Sequence, residues 1–162
     1  MHLIVFVVLS NGDMVQPMRL TVHTDYALRV LMYLSVRTER LATIEEIAKA
    51  YQISENHLMK VVNRLARHGF VETLRGRGGG LRLGKPADAT TIGEVLRAVE
   101  DDLHIVECFG AADTCRISQA CHLKHAFNCA LNAYLSELDG WTLADIVSDR
   151  KALLHELRLV EH

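Results

Sequence analysis

Residues 43 to 67 decide the fold: Thr43-Ile44-Glu45-Glu46-Ile47-Ala48-Lys49-Ala50-Tyr51-Gln52-Ile53-Ser54-Glu55-Asn56-His57-Leu58-Met59-Lys60-Val61-Val62-Asn63-Arg64-Leu65-Ala66-Arg67. Thr43 followed by Glu46 is a capping box, in which a hydroxyl and a carboxylate satisfy the free amides of a helix start. Ile44, Ile47 and Ala48 make the inward face of that helix, and Tyr51-Gln52-Ile53 breaks it before Ser54 caps the next. In the second helix Leu58, Val61, Val62 and Leu65 form one stripe, while Asn56, Lys60, Asn63 and Arg67 fall on another. One face packs and the other is free to touch a partner. Two short helices joined by a tight turn, the second polar and basic outward, are the helix-turn-helix pattern, whose second helix enters the DNA major groove.

The flanks extend this reading. Upstream, Thr24 to Val36 carries Tyr26, Ala27, Val30, Leu31 and Leu34 at helical spacing, with Thr24 as a cap and Asp25 in the first turn. Downstream, Phe70 to Leu74 and Leu81 to Leu83 are predicted strands around Arg75-Gly76-Arg77-Gly78-Gly79-Gly80, a wing. Glycines such as Gly78 and Gly79 let backbone approach a groove, while Arg75, Arg77 and Arg82 supply phosphate or minor-groove contacts. A nucleotide phosphate loop is disfavoured, because its Lys-Ser/Thr and its strand-to-helix context are missing. On the recognition helix Ser54, Asn56, His57 and Lys60 are the candidate base contacts, Asn suiting adenine and Lys suiting guanine or phosphate. Thr43 can offer its hydroxyl and neighbouring amides to a phosphate. The bland alternative is a solvated face.

With 162 residues and a hydrophobic share of 49%, the chain predicts one domain, or a domain with an appended arm. A net charge of −2 hides an asymmetry. From Met18 to Lys85 twelve Lys and Arg stand against six Asp and Glu, whereas from Pro86 onward six stand against thirteen. A basic half beside an acidic half suits a polyanion-binding module fused to a part that stays off the polyanion. The apolar run Leu3 to Leu9 is too short for a membrane span and lacks the basic start of a signal peptide, so no membrane role is expected. Residues 1–17 read as a mis-assigned start or a loose arm, with Met18 as the natural start.

Thr91 to Glu94 is a second capping box, opening a helix through Val99, and Glu100-Asp101-Asp102 ends the regular region. Beyond a cysteine-bearing loop, Leu123, Ala126, Phe127, Ala130, Leu131, Tyr134 and Leu138 repeat at three and four until Asp139-Gly140, and Thr142 to Leu159 makes a last amphipathic segment. The long helix either packs on its own domain or forms a two-fold seam, and reading paired half-sites on DNA favours the seam and a homodimer. Cys108, Cys115 and Cys121 lie in the loop. Three thiols cannot all pair with one another, so a soft-metal or iron–sulfur site outweighs a disulfide, and a reducing cytoplasmic setting follows. Buried apolar thiols are the alternative. Cys129, with His122 and His125, shares a helical facet able in principle to bind zinc, but that facet lies off the apolar stripe.

Met18-Arg19-Leu20-Thr21, Thr24-Asp25-Tyr26-Ala27-Leu28-Arg29, Asn56-His57-Leu58-Met59-Lys60-Val61-Val62, Arg75 to Leu81 and Glu107-Cys108-Phe109 to Cys121 together resemble the Rrf2 family of winged-helix iron–sulfur regulators, and within it the nitric-oxide-sensing repressors. The resemblance runs in order and spacing from Met18 to about Val147. It implies a homodimer on a palindromic double-stranded operator, with an iron–sulfur cluster held by Cys108, Cys115 and Cys121 whose state controls DNA affinity. A cubane wants four protein ligands. The resemblance implies that Asp25 reaches across the dimer as the fourth, an oxygen donor, with Cys129, outside the family motif, as the other candidate; the alternative role for Asp25 is favourable placement at a helix start. A sister group uses a His three residues after the last cysteine, where this chain has Lys124, so a 4Fe-4S cluster is expected, with 2Fe-2S as the alternative.

The expected fold is mainly α with a small β wing: a winged helix-turn-helix domain over 18–100, a cluster-binding loop over 101–121, and a dimerisation helix with a C-terminal helix over 122–162. The expected function is a cytoplasmic transcriptional repressor, not an enzyme, from which nitric oxide releases the operator by altering or removing the cluster. The rival readings are a regulator of the same fold sensing iron supply or oxidants, and a metal-carrier or redox protein.

Overall fold

A computed structural model describes residues 20–103, 106–109 and 114–159, so the reading of residues 1–17 lies outside the described residues. Helix α1, Val22–Val36, starts one turn earlier than its apolar pattern suggests. Thr21, not Thr24, is the cap, accepting the Thr24 amide at 3.3 Å. Thr24 is instead fully buried in the first turn, where its hydroxyl donates to Glu100 Oε2 at 2.5 Å. A carboxylate from far along the chain has displaced the local capping choice.

Helix α2, Ile44–Tyr51, keeps both halves of its capping box: Thr43 Oγ1 accepts the Glu46 amide at 3.1 Å and Glu46 Oε2 accepts the Thr43 amide at 2.8 Å. It ends at Gln52, whose φ of 55° is left-handed. Helix α3, Glu55–Arg67, buries the expected stripe of Leu58, Val61, Val62 and Leu65. Strands β1, Val71–Leu74, and β2, Gly80–Leu83, pair antiparallel, with Val71 opposite Leu83 and Leu74 opposite Gly80. Phe70 precedes β1 and lies in the core at 3% exposure. Two backbone hydrogen bonds between Ala42 and Leu81, at 3.1 and 2.7 Å, tie this hairpin to the segment entering α2.

In α4, Ile92–Val99, the expected capping box is one-sided: Thr91 accepts the Glu94 amide at 3.1 Å, but the Glu94 carboxylate takes Lys85 Nζ at 2.6 Å. That carboxylate is turned toward Lys85 and away from the Thr91 amide. Helix α5, His122–Asp139, is fastened to α4 by a two-pronged Arg97–Asp139 pair, both bonds at 2.6 Å, and Asp139 packs where Gly93 has no side chain. The segment 142–159 is two short helices rather than one, α6, Leu143–Ile146, and α7, Arg150–Glu156, because Asp149 caps a new start by accepting the Ala152 amide at 3.0 Å. One apolar core joins α1 to α4 with both strands and Leu143. Among the described residues no helix is long and apolar enough to cross a membrane.

Candidate nucleic-acid interface and cysteine site

Burying its apolar stripe turns the opposite side of α3 to solvent, and Ser54, Asn56, His57, Lys60 and Asn63 are all exposed there. Ser54 holds the cap position without a side-chain cap bond, which leaves its hydroxyl uncommitted to the helix. His57 lies against Tyr26 of α1, ring centroids 6.5 Å apart. Thr43 is exposed at the start of α2; its amide is taken by Glu46, but its hydroxyl, having accepted a bond, retains its own proton to donate.

At the wing tip Gly78 has φ of 78°, and a side chain on Gly79 would collide with the Leu74 carbonyl, so only glycine makes this turn. The turn leaves Arg75 and Arg77 exposed beyond the strand ends. Arg82 differs from them. Its Nε donates to Glu72 Oε2 at 2.8 Å across the hairpin, which raises the Arg82 pKa and lowers that of Glu72. The partner is set by the strand register, since Glu72 stands directly opposite Arg82.

The cysteine site is assembled differently. Cys108, Cys115, Cys121 and Cys129 carry thiols and form no disulfide. Cys108 and Cys121 line one cavity of about 620 Å³ with Phe109, Lys124, His125, Asn128 and Leu131, while Cys115 is exposed. Among the described residues no three His, Cys, Asp or Glu side chains stand close enough to hold a metal ion together, and residues 110–113 of the loop lie outside that description. Cys129 Sγ contacts His125 Nε2 at 3.6 Å along α5. Thiolate donors on a short loop suit iron–sulfur chemistry, and two of them already share a cavity, so the donor set fits such a group.

Asp25 is absent from the described lining of that cavity. Its carboxylate pairs with Arg29 at 2.8 Å, and the Arg29 guanidinium also lies 6.0 Å from the Tyr26 ring centre and 5.9 Å from that of Tyr51. Burial pushes the Tyr51 hydroxyl up to about 12, so that ring stays neutral beneath the cation.

The family model described as iron-dependent transcriptional regulator, Rrf2, matches residues 20–149. The chain belongs to the Rrf2 family. Among Rrf2-related sequences, the HTH-type transcriptional regulator NsrR of Bacillus subtilis is 51% identical over 89% of this chain and 100% of its own length. NsrR of Bacillus licheniformis is 51% identical over 82% of this chain and 94% of its own. The solved structure of CymR, the global cysteine regulator of B. subtilis, superposes with a TM-score of 0.65 at 25% identity, covering 80% of this chain and 96% of that one. The fold is accordingly a mainly helical winged helix-turn-helix with a two-stranded antiparallel wing. As an Rrf2 protein the chain is a DNA-binding transcriptional regulator and not an enzyme. Membership also implies an iron–sulfur cluster, for which the chain carries cysteines.

Proposed function

We propose that this protein is a cytoplasmic homodimeric repressor that senses nitric oxide through a 4Fe-4S cluster and releases a palindromic operator in response. The observation that carries the reading is the 51% identity to NsrR over 89% of the chain, joined to Cys108, Cys115 and Cys121 on one loop. When bound, the iron–sulfur cluster supplies iron with which nitric oxide reacts. Cys108 and Cys121 hold it from the shared cavity, Cys115 from the loop, and Asp25 of the second copy as a hard oxygen donor, more easily displaced than a thiolate. For Asp25 to serve in this way it must leave Arg29, an exchange between partly exposed charges that costs little.

On DNA, Asn56, His57, Lys60 and Ser54 meet base edges in the major groove. Arg75, Arg77, Arg82 and the backbone at Gly78 and Gly79 follow the backbone or minor groove, and Thr43 meets a phosphate. Two-fold symmetry places half-sites about 10 to 10.5 base pairs apart, or a multiple of that. The exposed apolar residues of α5, with Leu123 60% and Tyr134 37% exposed, support that helix as the seam between copies. Iron supply as the signal is the second reading, favoured by the family's iron dependence.

Fluorescence anisotropy with a palindromic duplex tests the proposal. Anaerobically purified holo-protein should bind more tightly than the same protein after nitric oxide. Equal binding of the two forms overturns nitric oxide as the signal, and a response to iron chelation alone would then favour the second reading.

A further inference from the structure

Arg64 belongs to α3, yet its guanidinium reaches back to the root of the cysteine loop. Its Nε donates to the Ala98 carbonyl at 3.3 Å, in the last turn of α4, and Nη1 donates to Asp101 Oδ1 at 2.6 Å, where the loop begins. The neighbouring acid faces the other way: Glu100 Oε2 accepts the Thr24 hydroxyl at 2.5 Å and the Thr21 amide and hydroxyl, both at 3.2 Å. Two consecutive carboxylates thus fasten the junction between α4 and the loop to α1 on one side and to the recognition helix on the other.

The apolar stripe of α3 sets how deeply the helix sits, but apolar contact is non-directional and fixes its roll poorly. A guanidinium is a rigid planar fork whose separate N–H groups can hold two acceptors at a set angle, which an ammonium cannot do. We infer that Arg64 is a positioning residue that, through Asp101 and the Ala98 carbonyl, sets the angle of the recognition helix according to the conformation of the cysteine loop. This rests on the regulator reading above and adds the route by which the loop acts on DNA. The Arg64 side chain is 23% exposed and that of Asp101 is 81% exposed, so the pair adds little to folding and its variants should stay folded.

The sign of the effect separates this role from simple electrostatics. Removing a negative charge from a DNA-binding protein tightens binding to any duplex by long-range attraction. Loss of a positioning contact weakens operator binding instead. The full-length Asp101→Asn protein, with and without its cluster, is titrated with operator duplex by anisotropy beside the wild type. Holo Asp101→Asn should bind at least about fivefold more weakly than holo wild type, the low end of ordinary coupling between sites, and should approach cluster-free wild type. Cluster absorbance and thermal midpoint should not move. Asp101→Glu should restore most of the affinity, and Arg64→Lys, which keeps the charge but not the fork, should behave as Asp101→Asn does. Unchanged or tighter operator binding by Asp101→Asn, with the wild-type difference between loaded and cluster-free forms retained, overturns the inference alone. Equal binding of the two wild-type forms overturns the regulator reading and this inference with it.

Discussion

Helices α3 and α5 carry apolar residues at the same three-and-four spacing, and the fold uses the two patterns in opposite ways. In α3 the repeating residues are buried, Leu58 and Leu65 completely. In α5 Leu135 is the sole buried residue among those described, while Leu123 and Tyr134 of the repeat lie open. The helix-turn-helix head closes its own core in one chain; the arm that follows does not. Leu123 and Tyr134 stay open while Phe127, Leu131 and Leu138 are only partly covered, so the same periodicity closes a core in one element and leaves apolar surface uncovered in the other.

The comparison breaks first at the head. Leu58→Ala should cost about 2–5 kcal/mol of unfolding free energy, because it empties a fully enclosed site, and denaturant titration reads this directly. A loss below about 0.5 kcal/mol would mean that the head core is not closed as described. On the arm, Leu123→Glu should shift the protein from dimer to monomer in sedimentation while leaving the helical content of the head unchanged. A dimer that persists would return the stripe to solvent.

Cysteine variants sharpen the contrast between the regions. Cys108→Ala, Cys115→Ala and Cys121→Ala should each yield colourless protein, and Cys129→Ala coloured protein, whereas unfolding of the cluster-free head should be the same in all four. Iron retained in any of the first three would remove that residue from the ligand set.

Smaller effects separate the DNA-facing residues. Asn56→Ala should cost roughly 1–3 kcal/mol at one base pair per half-site, measured as lost discrimination against a substituted operator. Glu72→Gln should release Arg82, tighten binding to every duplex and steepen the salt dependence by about one unit of slope. Protonation should mimic that change. Arg82 holds the Glu72 carboxyl below its usual range, so the pair is intact above the ordinary glutamate pKa and is lost only as pH falls through the depressed value. Between pH 6 and 8 the wing pair should therefore not titrate, and any pH response of binding there must come from elsewhere.

The head was legible from sequence because its signals are local. The Thr43–Glu46 box, the stripe from Leu58 to Leu65 and the glycines at 78 and 79 each act within a few residues, and the structure places all of them as read. The misreadings share one cause. Thr24 gave up its capping role to Thr21 because Glu100 reaches it from the end of α4. The Thr91 box lost its second half because Lys85 claims Glu94. In both cases a charged group distant in sequence engages a side chain that the local pattern assigns to a cap.

By itself, then, the sequence determined the helix-turn-helix, the glycine wing, the division of charge and the clustering of sulfur donors, all properties of spacing along the chain. Only the tertiary structure decided which of those charges are neutralised, that Cys108 and Cys121 share a cavity, and that Arg64 of the recognition helix holds the root of the cysteine loop through Asp101. The physical reason is range. Helix propensity and capping act over about one turn, whereas hydrogen bonds and ion pairs depend on distance in space, and residues 37 apart in sequence become neighbours only once the core has closed.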